Sequence, residues 1–74
     1  MKTPVLDLSG LKCPLPVLRT RKALRALQSG DSLEVIATDP MSAIDIPNLL
    51  RETGDVLLAQ TAQDGKLSFR IEKA

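Results

Sequence analysis

The chain has 74 residues, 43% of them hydrophobic, which fits one small globular domain spanning residues 1–74 and argues against disorder. Its 10 Lys and Arg against 9 Asp and Glu leave a formal net charge of +1, so overall charge gives no reason to expect nucleic-acid binding. With one Phe and no Trp or Tyr, the core must be built from aliphatic side chains.

The first half of the sequence predicts a strand, a helix and a second strand. Val5–Leu8 is a short apolar run that Ser9 and Gly10 terminate. Residues 14 to about 29 predict a helix, because apolar side chains recur at helical spacing opposite a basic face, with Gly30 as a stop signal. The apolar stripe consists of Val17, Thr20, Ala23, Leu24 and Leu27. Residues 32–38 are rich in β-branched and apolar side chains and predict the second strand.

The second half predicts a helix and a β-hairpin. Asp39 and Pro40 indicate a turn, and Pro47 disfavours a helix interior, so we expect the second helix to begin near Asp45 as its cap. Gly54 should end this helix. Two apolar segments then flank the dipeptide at residues 64 and 65, Asp-Gly, which is a strong signal for a two-residue hairpin turn.

The hairpin turn predicts a register in which Leu67 pairs with Ala62, Phe69 with Gln60 and Ile71 with Leu58. Gln60 is polar opposite an apolar side chain, which indicates either a sheet edge or a β-bulge. The order of elements predicts an α+β fold, a two-layer α/β sandwich of βαβαββ order. Two helices should cover one face of a four-stranded mixed sheet, with the first two strands parallel.

The residue types that are absent limit the chemistry of the chain. There is no histidine, so Cys–His and Ser–His nucleophile pairs are excluded within it. One cysteine can form neither an internal disulfide nor a dithiol pair, and without histidine it does not suggest a zinc site. We therefore expect no metal and no cofactor. Without a membrane-spanning apolar run or a signal peptide, we expect a cytoplasmic protein with no membrane partner.

That single cysteine, Cys13, lies in the segment LKCPLP between the first strand and the first helix. If Pro14 is the first helical residue, Cys13 is the N-cap, and its thiol lies at the positive end of the helix beside Lys12. This placement predicts a thiol pKa below the ordinary value. A reactive thiol without a local base or second cysteine suits a group carrier better than a turnover enzyme. The alternative is a small buried hydrophobic residue that merely precedes a helix.

The segment DLSGLKCPLPVLRTRKAL resembles the C-P-x-P signature segment of the TusA/SirA-like sulfur-carrier proteins. The likeness continues in TDP at residues 38–40, in DIP at residues 45–47 and in the C-terminal hairpin. It therefore covers nearly the whole chain. The fold of that family, a βαβαββ two-layer sandwich, agrees with the order of elements described above.

The resemblance implies that Cys13 carries sulfane sulfur as a persulfide, with Pro14 and Pro16 shaping the motif. Such carriers receive sulfur from a cysteine desulfurase or another sulfurtransferase. They pass it to a downstream acceptor in tRNA thiolation, molybdenum-cofactor assembly or sulfur metabolism. The protein would be a stoichiometric carrier rather than a stand-alone turnover enzyme. Leu15 fills the variable motif position, where an acidic residue is common, and this bears on the choice of partner.

The resemblance also implies a surface that meets the sulfur donor and acceptor proteins. Basic residues of the first helix look like the partner-facing charges of the family, and an acidic residue matches the position after the second strand. A leucine among these cations in helical projection, and the lysine before the cysteine, complete the candidate surface. Its members are Lys12, Leu18, Arg21, Lys22, Arg25 and Asp39. The simpler alternatives are a solvated helix face and, for Asp39, a turn or capping residue.

A second hypothesis is a non-catalytic module that binds RNA or protein through the basic first helix, with Cys13 structural. The low aromatic content weighs against stacking on single-stranded bases. Direct nucleic-acid binding is therefore not expected. A third hypothesis, a turnover sulfurtransferase, lacks the acid–base groups it would need. We expect a monomer.

Overall fold

The protein folds into one four-stranded sheet covered by two helices, as described for residues 3–74 by a computed structural model. The elements are β1 (Val5–Leu8), α1 (Leu15–Arg25), β2 (Ser32–Ala37), α2 (Ser42–Thr53), β3 (Val56–Gln63) and β4 (Lys66–Glu72). The strand order is β1-β2-β4-β3, with β1 parallel to β2 and the other neighbours antiparallel. The predicted α+β sandwich of βαβαββ order is confirmed. Within residues 3–74, neither helix is long and apolar enough to cross a membrane.

The core lies between the helices and one face of the sheet. In β2, every second residue is buried, and the strand beside it buries Phe69 and Ile71 on the same side. Both helices contribute a stripe of buried side chains, including Leu24 from α1 and Ile46 from α2. Burial of one such aliphatic side chain stabilises the fold by about 1.5–3 kcal/mol. The predicted apolar stripe of α1 therefore faces the core.

α1 is shorter than the sequence predicted at both ends. It begins at Leu15, with Pro14 as its N-cap residue. At the other end, the amides of Ala26 and Leu27 bond to carbonyls three residues earlier, at 3.1 Å. The carboxylate of Asp31 also accepts a hydrogen bond from an amide of the following loop. The chain therefore leaves the helix in tight turns before it reaches residue 29.

The predicted start of α2 near Asp45 is wrong, because the helix begins at Ser42. Asp39 accounts for the difference. Its main-chain carbonyl accepts from the Ser42 amide at 2.9 Å, and its carboxylate accepts from the Met41 amide at 3.1 Å. These bonds wind the chain into a helix before the predicted cap. Asp45 consequently lies inside the first turn of α2, where its side chain is available for other contacts.

Pro47 lies inside α2, although proline is disfavoured in a helix interior. Proline has no amide hydrogen, so the carbonyl of Ala43 loses the donor that a helix normally supplies four residues later. The Gln60 side-chain amide, from β3, donates to this carbonyl at 3.4 Å. This contact explains why a polar residue stands opposite the buried Phe69. A side chain of the edge strand thus supplies the hydrogen-bond donor that the helix backbone lacks at Pro47.

The hairpin turn and the first pairs of its register are as predicted. Asp64 and Gly65 have φ angles of 52° and 76°, the left-handed conformation that a two-residue hairpin turn requires. Leu67 pairs with Ala62 as expected, but Ile71 pairs with Leu57 instead of Leu58. A register shift between Leu57 and Ala59 causes this difference. β3 is therefore both an edge strand and a strand with a bulge.

Asp55 anchors the last residues of the structure. Its buried carboxylate accepts hydrogen bonds from the Ala74 amide at 2.9 Å and the Thr53 hydroxyl at 2.8 Å. The ammonium group of Lys73 lies 4.0 Å from the same carboxylate. The main chain of Lys73 also bonds to the loop between α1 and β2. The Asp55 carboxylate thus links the end of α2 to the residues after β4, whose main chain is bonded to that loop.

Replacing Asp55 with alanine should lower the free energy of unfolding by about 2 kcal/mol, because two donors lose their acceptor in a buried place. Urea denaturation followed by circular dichroism measures the change. Glu72→Ala is the matched control, since Glu72 is exposed at the end of β4 and should change the free energy by less than about 0.5 kcal/mol. Equal denaturation midpoints for the two variants would contradict the anchoring role.

Candidate functional site

Cys13 lies where the loops after β1 and β2 meet. Because these strands are parallel, the two loops leave the same edge of the sheet. The Gly10 amide of the first loop donates to the Thr38 hydroxyl of the second at 2.8 Å. The cysteine is exposed at this edge, so the alternative of a small buried hydrophobic residue is wrong. The Cys13–Pro14 peptide bond is cis.

Asp39 fixes the backbone of the cysteine loop. Its Oδ2 atom accepts a hydrogen bond from the Cys13 amide at 2.6 Å, and its Oδ1 atom accepts one from the Met41 amide at 3.1 Å. These two bonds, together with the positive charge of Lys12, lower the pKa of Asp39 below its ordinary value. Both carboxylate oxygens are therefore engaged by main-chain amides. The geometry gives Asp39 the turn role that the sequence left open beside partner binding.

The thiol of Cys13 does not cap α1, because Pro14 is the N-cap residue and no side chain caps this helix. The thiol instead donates a hydrogen bond to Oδ2 of Asp45, at a distance of 3.4 Å. Asp45 reaches it from the first turn of α2. The carboxylate that sequence analysis assigned to a helix cap is therefore a direct neighbour of the cysteine.

The pKa of the Cys13 thiol is raised above the ordinary cysteine value. The hydrogen bond to Asp45 stabilises the protonated thiol, and partial desolvation and the negative charges of Asp45 and Asp39 disfavour the thiolate. The predicted lowering by the helix N-terminus and Lys12 is wrong in direction. At neutral pH the cysteine is thus held as a thiol.

A groove of about 260 Å³ opens beside Cys13 between the two helices. α1 and the residue before it contribute Pro14, Val17 and Arg21, and α2 contributes Asp45, Asn48, Leu49 and Glu52. Nη2 of Arg21 lies 3.6 Å from Oε2 of Glu52, so an ion pair joins the two walls. Among residues 3–74, no group of three or more His, Cys, Asp and Glu side chains is placed to hold a metal ion.

The candidate partner-facing residues of α1 fall into two groups. Lys22 and Arg25 are exposed, and Leu18, about one turn before Lys22, is 49% exposed. Arg21 differs because it is half-buried in the groove and paired with Glu52. Lys12 is exposed in the cysteine loop, and Leu15, the variable motif residue, is exposed at the start of α1. Pro16 is buried under that first turn.

The wall of the groove that α2 provides was not predicted from the sequence. Asp45, Asn48 and Glu52 lie three and four residues apart, a spacing that places side chains on one face of a helix. The signal was present in the sequence. It was hidden because Pro47 led to a helix that begins too late to include Asp45 in its first turn.

Protonation of Asp39 should release the Cys13 amide. The bonds from the amides of Cys13 and Met41 hold the pKa of Asp39 below the ordinary 3.8. They therefore persist above this lowered pKa and are lost as the pH falls through it. In a ¹H–¹⁵N NMR pH titration, we expect the Cys13 amide to shift with a midpoint below 3.8.

Asp39→Asn is the control for this titration and should abolish the transition at the Cys13 amide. The Ser9 amide should still titrate in the variant, because it bonds to the carboxylate of Asp7. A Cys13 transition that persists in Asp39→Asn, or a parent midpoint at or above the ordinary value, would show that Asp39 does not hold the loop.

Comparison with known proteins shows which family the chain resembles. The family model described as "Sulfurtransferase TusA" matches residues 5–73. The chain is 48% identical over 69 residues to the sulfur carrier protein TusA of Allochromatium vinosum. The aligned region covers 93% of this chain and 91% of that protein. It is 46% identical over 72 residues to a putative sulfur carrier protein of Neisseria meningitidis serogroup A, with 97% of each chain covered.

A solved structure has the same fold. The crystal structure of a SirA-like protein from Desulfitobacterium hafniense superimposes with a TM-score of 0.84 at 25% sequence identity, covering 95% of this chain and 96% of that one. The match over residues 5–73 spans Cys13 and every strand and helix. On the strength of the family model and these relatives, the chain belongs to the TusA family.

Proposed function

We propose that this protein is a sulfur carrier, which receives sulfane sulfur as a persulfide on Cys13 and passes it to a downstream acceptor. The observation that carries the proposal is the position of Cys13. It is the one thiol of the chain, and it lies exposed at the mouth of a groove. Relatives that are 46–48% identical are named sulfur carrier proteins or putative ones, which supports the same role.

The site suits a carrier because the sulfur is both accessible and fixed. Two different proteins must reach the same atom, one to load it and one to unload it, so the atom must be exposed. The amide of Cys13 is bonded to Asp39, and Pro14 and Pro16 restrict the backbone that follows. The approaching partner therefore meets a cysteine in one position rather than a flexible loop.

Loading is an exchange between two sulfur atoms. The Cys13 sulfur attacks the outer sulfur of a donor persulfide, R–S–SH, while the S–S bond of the donor breaks. The thiol proton of Cys13 leaves and the departing R–S⁻ takes up a proton, so the products are Cys13–S–SH and R–SH. No net oxidation occurs. One load is consumed in each transfer, so the protein acts stoichiometrically rather than as a stand-alone turnover enzyme.

The donor of this exchange is a cysteine desulfurase or another sulfurtransferase, whose own cysteine presents the persulfide. The acceptor belongs to tRNA thiolation, molybdenum-cofactor assembly or another branch of sulfur metabolism. The cytoplasm, where thiols remain reduced, is the compartment that suits a carrier with an exposed cysteine.

The outer face of α1 is the surface on which these partners dock. Lys22 and Arg25 are exposed, and Leu18, about one turn before Lys22, offers apolar contact beside them. Such charges mainly steer the encounter of two proteins and set its rate. Arg21 belongs to the groove rather than to this surface, because it is paired with Glu52. The docking surface is therefore tested best with Lys22 and Arg25.

Incubation with a cysteine desulfurase and free cysteine should add one sulfur atom, about 32 Da, to the protein through persulfide formation on the thiol. Intact mass spectrometry under non-reducing conditions measures the gain. Cys13→Ser is the control and should gain nothing. If the parent protein acquires no sulfur from a desulfurase or from any other persulfide donor, the carrier function is wrong.

Reversal of charge at Lys22 and Arg25, both to Glu, should slow sulfur loading roughly ten-fold at low salt, because the steering of the partner is lost. The difference should shrink as salt is raised, since ions screen the charges of both proteins. The rate of sulfur transfer from the desulfurase, followed by mass spectrometry, measures the effect.

The matched control carries the same charge change at Lys66 and Arg70, on the uncovered face of the sheet. It should load like the parent. Alkylation of Cys13 by a small uncharged reagent should be nearly equal in all three proteins, which separates docking from a change in the thiol. A loading rate for the α1 variant that matches the control at low salt would leave α1 as a solvated face.

A further inference from the structure

The carboxylate of Asp45 is the charged group in direct contact with the Cys13 sulfur. We propose that Asp45 shifts the equilibrium of sulfur transfer from Cys13 towards release. Its negative charge stabilises the empty thiol and destabilises a loaded, negatively charged persulfide. Asp45 is then a functional residue of the transfer itself, although it forms no covalent bond. This inference rests on the sulfur-carrier function proposed above.

The structure holds this carboxylate against the sulfur. Asp45 lies in the first turn of α2, and its amide bonds to the carbonyl of Met41 at 2.9 Å. The side chain is half-buried between the helix and the cysteine loop. On the other side, the bond from the Cys13 amide to Asp39 fixes the loop at 2.6 Å. Both members of the 3.4 Å contact are therefore held by their own backbones.

The other charges around Cys13 do not cancel that of Asp45. Asp39, from the loop before α2, accepts two main-chain amides and adds a second negative charge. Arg21, the cation that α1 contributes to the groove, is paired with Glu52 of α2. Lys12, in the cysteine loop itself, is exposed to solvent. In the described part of the chain, Asp45 forms no salt bridge.

The empty and loaded states respond to this carboxylate in opposite ways. The empty thiol has a proton and donates it in a hydrogen bond to Asp45. A persulfide is a stronger acid than a thiol, so the loaded group is anionic at neutral pH. Its outer sulfur lies one S–S bond, about 2.05 Å, beyond Sγ. The negative charge of the load therefore remains within a few ångströms of the carboxylate, and the two repel each other.

Transfer to an acceptor thiol relieves this repulsion. Cys13–S–S⁻ and R–SH give Cys13–SH and R–S–S⁻, with one S–S bond broken and one formed and no net oxidation. The proton of the acceptor thiol ends on Sγ of Cys13, where it again forms the hydrogen bond to Asp45. Net charge is conserved, but the negative charge moves away from Asp45. The carboxylate thus favours delivery over retention.

Asp45→Asn tests the proposal, because it removes the charge and keeps the size and an acceptor oxygen. Asp64→Asn, at the exposed hairpin turn, is the matched control with the same chemical change. Each persulfidated protein is mixed anaerobically with graded concentrations of free cysteine, and intact mass gives the fraction still loaded at equilibrium. We expect the ratio of loaded to empty protein at a given cysteine concentration to be roughly three- to ten-fold higher for Asp45→Asn than for the parent. The control should match the parent.

The pH dependence of alkylation is the second measurement. Without the carboxylate, the Cys13 thiolate should form at lower pH, so Asp45→Asn should react faster than the parent at pH 7. If Asp45→Asn proves misfolded by circular dichroism, Asp45→Ser, which also removes the charge, takes its place in both measurements.

The outcomes separate this inference from the proposed function. A parent protein that never acquires sulfur overturns the carrier function itself. A parent that loads normally, with equal sulfur retention in Asp45→Asn and Asp64→Asn, overturns only the role of Asp45. Faster alkylation of Asp45→Asn with unchanged retention also overturns it, because the carboxylate would then merely protect the empty thiol.

Discussion

The hydrogen bonds to Asp39 connect the cysteine loop to the chain just before α2. One carboxylate oxygen holds the amide of Cys13 and the other holds the amide of Met41, just before α2. The first bond fixes the cysteine loop, and the second helps α2 to begin early enough for Asp45 to face that loop. The contact between the thiol and Asp45 follows from both. The site therefore depends on one half-buried side chain in the loop after β2.

The parallel pairing of β1 with β2 makes this arrangement possible. It brings together two loops that are far apart in the chain, and each loop leads into the start of a helix. The two helices then form the walls of the groove beside Cys13. A cysteine on such an edge is exposed, yet its backbone is held by the hydrogen bond to Asp39. This combination suits the proposed sulfur carrier, in which partner proteins would have to reach the sulfur of Cys13.

Local patterns predicted the fold well because they act within one element. The alternation of Leu67, Phe69 and Ile71 and the Asp-Gly turn were sufficient to predict the hairpin strands and most of their pairing. The start of α2 was missed because the prediction treated Pro47 as a local helix breaker. Its backbone cost is offset instead by Gln60, whose side chain reaches the Ala43 carbonyl from another element.

The ionisation of Cys13 was mispredicted for a related reason. The helix N-terminus and Lys12 are local and visible in the sequence, and both favour a thiolate. The thiol donates a hydrogen bond to Asp45, a residue 32 positions away, and this bond is the largest cause of the raised pKa of Cys13. The family resemblance in DIP at residues 45–47 could suggest from the sequence that Asp45 belongs to the site. It could not indicate that the carboxylate points at the thiol.

The bulge between Leu57 and Ala59 also affects how molecules of this protein meet each other. β3 is an eight-residue strand at the edge of the sheet, and such an edge offers unpaired backbone groups to the strand of a second molecule. The bulge interrupts that row, so a second strand cannot continue in register along it. Polymerisation through strand addition is thereby discouraged. The same irregularity that displaced the predicted pairing of Ile71 thus makes this edge less suited to strand addition.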